Sequence, residues 1–127
     1  MALTKTVLLV DDDPIFLETT KIALENHYNI LTAANGDECL NIVGKEKVDL
    51  VILDVMMRHL GEGVDVAKKL KAREDTKNIP IIMLTGVSKV YDMSTQTDKT
   101  QYQSSELWLE KPVEADQLLK EVKKIIN

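Results

Sequence analysis

The sequence predicts an α/β domain with helices covering both faces of a parallel sheet. Three observations predict it: five short runs rich in leucine and β-branched residues recur along the chain, stretches with helical apolar spacing fall between them, and the runs are continuous instead of alternating with polar residues. Strand and helix in alternation call for crossover connections, hence parallel pairing. An unbroken apolar run is what a strand needs when both of its faces are buried. At 127 residues the chain is expected to form one domain over 1–127. That length buries roughly two thirds of the unfolded surface around a single core, and no second domain is expected to fit beside it.

The elements follow in order. The first strand is expected over 6–10, closing on Val7, Leu8, Leu9 and Val10. Asp13 followed by Pro14 reads as a helix start, with the carboxylate as N-cap and proline at the first helical position, and Phe16, Thr20, Ala23 and Leu24 supply the helical face. A second strand spans 28–33, and Asn35-Gly36 marks the turn into a second helix that carries Cys39, Leu40 and Val43. The third strand covers 48–53, and Val64, Ala67 and Leu70 give the third helix its spacing. Ile79-Pro80 opens a fourth strand to residue 84, a fifth lies at 107–109, and Leu118, Val122, Ile125 and Ile126 form the face of a last helix. One slot departs from the pattern. Residues 94–105 hold a single apolar side chain, Tyr102, among Ser, Thr, Gln, Asp and Lys, so the fourth helix is expected to be atypical, frayed or disordered for want of a face to bury.

Composition narrows the function. With 21 acidic against 16 basic residues and a net charge of -5, a nucleic-acid surface is not expected. The densest basic stretch, Lys68, Lys69, Lys71 and Arg73, reads as the solvated face of a helix. Cys39 is the only cysteine, which excludes an internal disulfide and suits a small core or boundary residue. The chain has no signal-peptide core and no apolar run of membrane-spanning length, so a cytoplasmic domain with no membrane partner is expected. His27 and His59 have no metal-ligand spacing to any partner and read as surface residues.

Chemistry concentrates at the strand ends. Asp11, Asp12 and Asp13 stand in a row after the first strand; only one is needed to cap a helix, and gathering the others in a crevice costs repulsion unless a cation neutralises them. Asp54 follows the third strand, Thr85 the fourth and Lys111 the fifth. In an open parallel sheet these ends share one edge, where ligands bind.

These residues resemble those of response regulator receiver domains from two-component systems. The matching pieces are VLLVDDDP at 7–14, VDLVILDVMM at 48–57, PIIMLTG at 80–86 and WLEKP at 108–112, and together they cover nearly the whole chain. The resemblance implies a flavodoxin-like, doubly wound, five-stranded sheet in the order 2-1-3-4-5. It implies that Asp54 is phosphorylated, with Mg²⁺ held by Asp12, Asp54, the backbone carbonyl of Met56 and, through water, Asp11. Lys111 and Thr85 would contact phosphoryl oxygens, and Lys111-Pro112 would be cis. Thr85 and Trp108 would form the switch, although Trp108 reads equally well as an amphipathic ring half-buried at the sheet edge.

The chain also departs from the family. Arg58 to Gly63 replace the usual proline-containing loop after the phosphoacceptor, and the usual Gly-Ala-Asp-Asp before the fifth strand is missing. Met56 and Val87, at positions that tune self-dephosphorylation in the family, are apolar, which implies a long-lived phosphoryl group. The leading expectation is a phosphoacceptor domain. It would catalyse its own Mg²⁺-dependent phosphorylation and dephosphorylation, take phosphate from a histidine kinase or histidine phosphotransfer protein, and pass the signal by binding a partner or by onward relay. The alternatives are a phosphorylation-independent interaction module and a small Mg²⁺-dependent hydrolase; the latter lacks a second acid/base beside Asp54.

Overall fold

A computed structural model describes residues 5–55, 57, 61–85 and 106–126. Five strands, β1 (Thr6–Val10), β2 (Asn29–Ala33), β3 (Leu50–Asp54), β4 (Ile81–Thr85) and β5 (Glu106–Glu110), form one sheet in the order β2-β1-β3-β4-β5. All four pairings are parallel. Helices α1 (Pro14–Leu24), α2 (Gly36–Lys45), α3 (Glu62–Ala72) and α4 (Ala115–Ile126) complete the described elements. The fourth-helix slot of the sequence, with residues 94–105, lies outside the described residues, as do Met56, His59 and Val87.

Successive strand residues point to opposite faces, so each central strand feeds two cores. Leu8, Val10, Val51, Leu53, Ile81 and Met83 pack with Cys39 and Val43 of α2 and Val64, Val66, Ala67 and Leu70 of α3. Val7, Leu9, Leu50, Ile52, Ile82 and Leu84 pack with Leu24 of α1 and Leu118 and Val122 of α4. Every residue of β3 and β4 is buried in consequence, which is why these strands read as continuous apolar runs. The edge strand β2 exposes Asn29 and Thr32.

Boundaries shift by one or two residues from the sequence pattern, for identifiable reasons. Pro80 has no N–H to give a ladder and contributes its carbonyl to Val51 N–H at 3.1 Å, so β4 starts at Ile81. Asp49 stays outside β3, its side chain accepting from Thr6 N–H at 2.8 Å. At the outer edge, pairing of Glu106 with Ile81 and of Glu110 with Thr85 lengthens β5 beyond its apolar residues.

The helix starts follow the expected chemistry. Asp13 caps α1 by accepting from Ile15 N–H at 3.0 Å, with Pro14 at the first helical position. Asn35 caps α2, accepting from Glu38 N–H at 2.9 Å, while Glu38 reaches back to Ala34 N–H at 2.8 Å. Cys39 is fully buried, and burial pushes its thiol up to about 12. In the basic stretch Lys68 and Lys69 are exposed, whereas Lys71 donates to the Ile79 carbonyl at 3.4 Å and Arg73 pairs with Asp75 at 3.0 Å. His27 is exposed. Among the described residues no helix is long and apolar enough to cross a membrane.

Candidate functional site

The connections leaving β1 and β3 depart to opposite faces of the sheet, α1 to one and α3 to the other, which opens a crevice at their carboxyl ends. Register decides which residues meet there. Val10 pairs with Leu53, so the residues that follow, Asp11 and Asp54, stand side by side. Asp54 pairs with Leu84, one residue before Thr85, and Thr85 pairs with Glu110, one residue before Lys111.

Asp11 is 1 % exposed and uses both oxygens: Oδ1 accepts from Asp13 N–H at 2.9 Å and Oδ2 from Lys111 Nζ at 2.8 Å. Asp54 is also buried, with Oδ2 3.6 Å from the same ammonium, whereas Asp12 faces solvent. One carboxylate oxygen from each of Asp11, Asp12 and Asp54 lies within 4.8 Å of the other two. Three carboxylates against one ammonium leave about two negative charges, and an all-oxygen donor set of that charge suits a hard divalent cation.

Lys111 Nζ also lies 4.8 Å from the centroid of the Phe16 ring. Burial alone would pull the Lys111 pKa down, but its hydrogen bond to Asp11 and the charges of Asp54 and Asp11 outweigh that, so the net shift is upward. The head group is a permanent cation at neutral pH. Thr85 is buried, and its hydroxyl donates to the Leu109 carbonyl only at 3.5 Å, a long and weak bond. The backbone beside it is firm, with Lys111 N–H donating to Thr85 O at 2.7 Å. Lys111-Pro112 is cis, as the resemblance implies. Trp108 is half-buried opposite Met83 and packs on the face covered by α2 and α3.

Thus Asp11, Asp12, Asp54 and Lys111 converge and Thr85 lies one strand away, while Met56 is outside the described residues. Sequence reasoning missed three supports of the site. Gly63 donates its N–H to Val55 O at 2.8 Å, and a Cβ there would fall 2.0 Å from the Asp54 carbonyl oxygen, so only glycine lets α3 start against this strand end. Glu62 is buried, and its Oε2 accepts from Gly36 N–H at 2.8 Å, where it faces the positive end of α2. Phe16 is the third. Two glycines flanking an acid at 61–63 were the available signal for the first pair; nothing local marked Phe16.

Comparison with known proteins agrees with this geometry. The family described as "Response regulator receiver domain" matches residues 7–123. The chain is 30 % identical over 123 residues to protein PilH of Pseudomonas aeruginosa, covering 94 % of this chain and 96 % of that one. It is 36 % identical over 91 residues to the alkaline phosphatase synthesis transcriptional regulatory protein PhoP of Bacillus subtilis, covering 71 % of this chain and 37 % of that protein. The match thus takes in only about a third of PhoP and less of some other curated relatives. The high-resolution structure of the chemotaxis response regulator CheY4 of Vibrio cholerae superposes with a TM-score of 0.82 at 27 % identity, covering 97 % of this chain and 99 % of that one. Strand order, strand-end residues and family match agree: the chain belongs to the response regulator receiver domain family.

Proposed function

We propose that Asp54 accepts a phosphoryl group from a phosphohistidine, carried by a histidine kinase or a histidine phosphotransfer protein, and that the signal leaves by partner binding or onward relay. One observation carries this reading: the Asp11, Asp12 and Asp54 carboxylates converge while Lys111 Nζ stands 3.6 Å from Asp54 Oδ2. An Asp54 oxygen attacks phosphorus; the new O–P bond forms as the donor's N–P bond breaks, and the electron pair stays on the imidazole nitrogen, which takes up a proton. Asp11, Asp12, Asp54 and the Met56 carbonyl would hold Mg²⁺, which supplies neutralisation of phosphoryl charge. Lys111 offsets charge from the other side, and Thr85, whose present bond is weak, offers its hydroxyl to a phosphoryl oxygen. The phosphoryl group carries about -1.5 to -2 charges where the Asp54 carboxylate carried one. The loosely held hydroxyl and Trp108, three residues before Lys111, are the groups we assign to the response.

The test is incubation with Mg²⁺ and acetyl phosphate, followed by intact mass measurement. A gain of one phosphoryl group in the native chain, absent in Asp54→Asn, is expected. No gain with acetyl phosphate or a phosphohistidine donor would favour a phosphorylation-independent module, and phosphate release far exceeding the protein would favour a hydrolase.

A further inference from the structure

The ammonium of Lys111 is held on three sides. Asp11 Oδ2 binds it at 2.8 Å and Asp54 Oδ2 attracts it at 3.6 Å, while the Phe16 ring lies 4.8 Å away as the third wall. The ring is fixed in turn. Phe16 sits in the first turn of α1, half-buried against the core that this helix shares with α4. The start of that helix is tied to the same carboxylate that holds the lysine: Asp13, its cap, donates its N–H to Asp11 Oδ1 at 2.9 Å. Asp11 therefore sets both the ammonium and the helix that brings the ring to it. An aromatic face attracts a cation through its quadrupole, and does so without the hydrogen bond that a carboxylate would insist on. A carboxylate in the ring's place would compete with Asp54 for the ammonium; an aliphatic chain would leave that side unheld.

From this we propose that Phe16 is a positioning residue for phosphoryl transfer: its ring face holds the Lys111 head group near Asp54 while leaving it free to swing to an arriving phosphoryl oxygen. The proposal rests on the phosphoacceptor reading above and deepens it. It accounts for how a long, flexible side chain is kept beside Asp54 on the side that neither carboxylate holds.

The experiment compares the native chain, Phe16→Leu and Phe16→Tyr under saturating Mg²⁺. Intact mass against time at several acetyl phosphate concentrations gives the phosphorylation rate, and proton NMR gives the chemical shift of the Lys111 ε-methylene. Phe16→Leu is expected to slow phosphorylation roughly three- to tenfold, in line with the strength of partly desolvated cation–π contacts. It should also abolish an upfield ring-current shift of that methylene, and Phe16→Tyr should keep both within about twofold. Unchanged kinetics in Phe16→Leu, or an equal loss in Phe16→Tyr, would overturn the role, as would a native ε-methylene at its free-lysine shift. A native chain that gains no mass from acetyl phosphate or from a phosphohistidine donor overturns the phosphoacceptor reading itself, and this role with it.

Discussion

Single residues carry the sharpest expectations. Gly63 cannot take a side chain without moving the Asp54 backbone, because a Cβ would approach the carbonyl oxygen to 2.0 Å. Gly63→Ala is therefore expected to destabilise the fold by about 2 kcal/mol or more, by overpacking, and to weaken Mg²⁺ binding, with denaturant unfolding and a Mg²⁺ titration as the checks. Cys39 makes an opposite kind of statement. Its thiol, pushed up to about 12 by burial, should react with a thiol reagent at pH 8 only as fast as the protein unfolds; rapid labelling of the native chain would contradict its place in the core. Because the folded value lies above the unfolded one, the contribution to stability is complete below about pH 9 and is lost as pH rises toward 12. Met56 and Val87 offer no group that could orient an attacking water, so a phosphoryl lifetime of minutes or longer at neutral pH is expected, to be measured by loss of the added mass. At this scale the sequence was most legible for the placement of Asp11, Asp12, Asp54 and Lys111, because each follows an apolar strand and the strand ends of a parallel sheet share one edge. Phe16 was illegible, since an aromatic at a helical core position looks the same whether or not a cation lies over it.

Among elements, the joint between α2 and α3 is the least ordinary. Glu62 of α3 satisfies the buried Gly36 N–H of α2, and a side chain at Gly36 would meet Val66 at 2.6 Å and Glu62 itself at 3.1 Å. Glu62→Ala removes an acceptor from a buried donor and is expected to cost about 1–3 kcal/mol, whereas Glu62→Gln keeps an accepting oxygen and should cost less. Chemical denaturation of both variants measures the difference; equal losses would assign the effect to charge instead of the hydrogen bond. The same first turn meets β3 through Gly63, so loosening this joint should also be felt at Asp54. Elements were readable where apolar period and capping signals agreed, as at Asp13-Pro14 and Asn35-Gly36. Their ends were less so: β5 extends over Glu106 and Glu110 because its neighbour β4 supplies a ladder, which local polarity cannot reveal.

For the molecule as a whole, strand order was not readable from periodicity and came from the resemblance; alternation of strand and helix gives parallel pairing but fixes no order. The observed β2-β1-β3-β4-β5 order puts the two strands that carry carboxylates next to each other, with the threonine and lysine strands following outward on one side. A change at Asp54 must cross β4 to reach Trp108 on β5. Trp108 fluorescence is therefore expected to change on adding Mg²⁺ with beryllofluoride, and an unchanged spectrum would remove Trp108 from the response. The ion pair between Asp11 and Lys111 spans 100 positions of the chain. During synthesis the acidic residues emerge early and stay uncompensated until their cation is made, close to the end of the domain. A chain interrupted anywhere before that lysine holds the acidic cluster without the ammonium that offsets it. The charge balance of the site is thus set only once the last strand has been made.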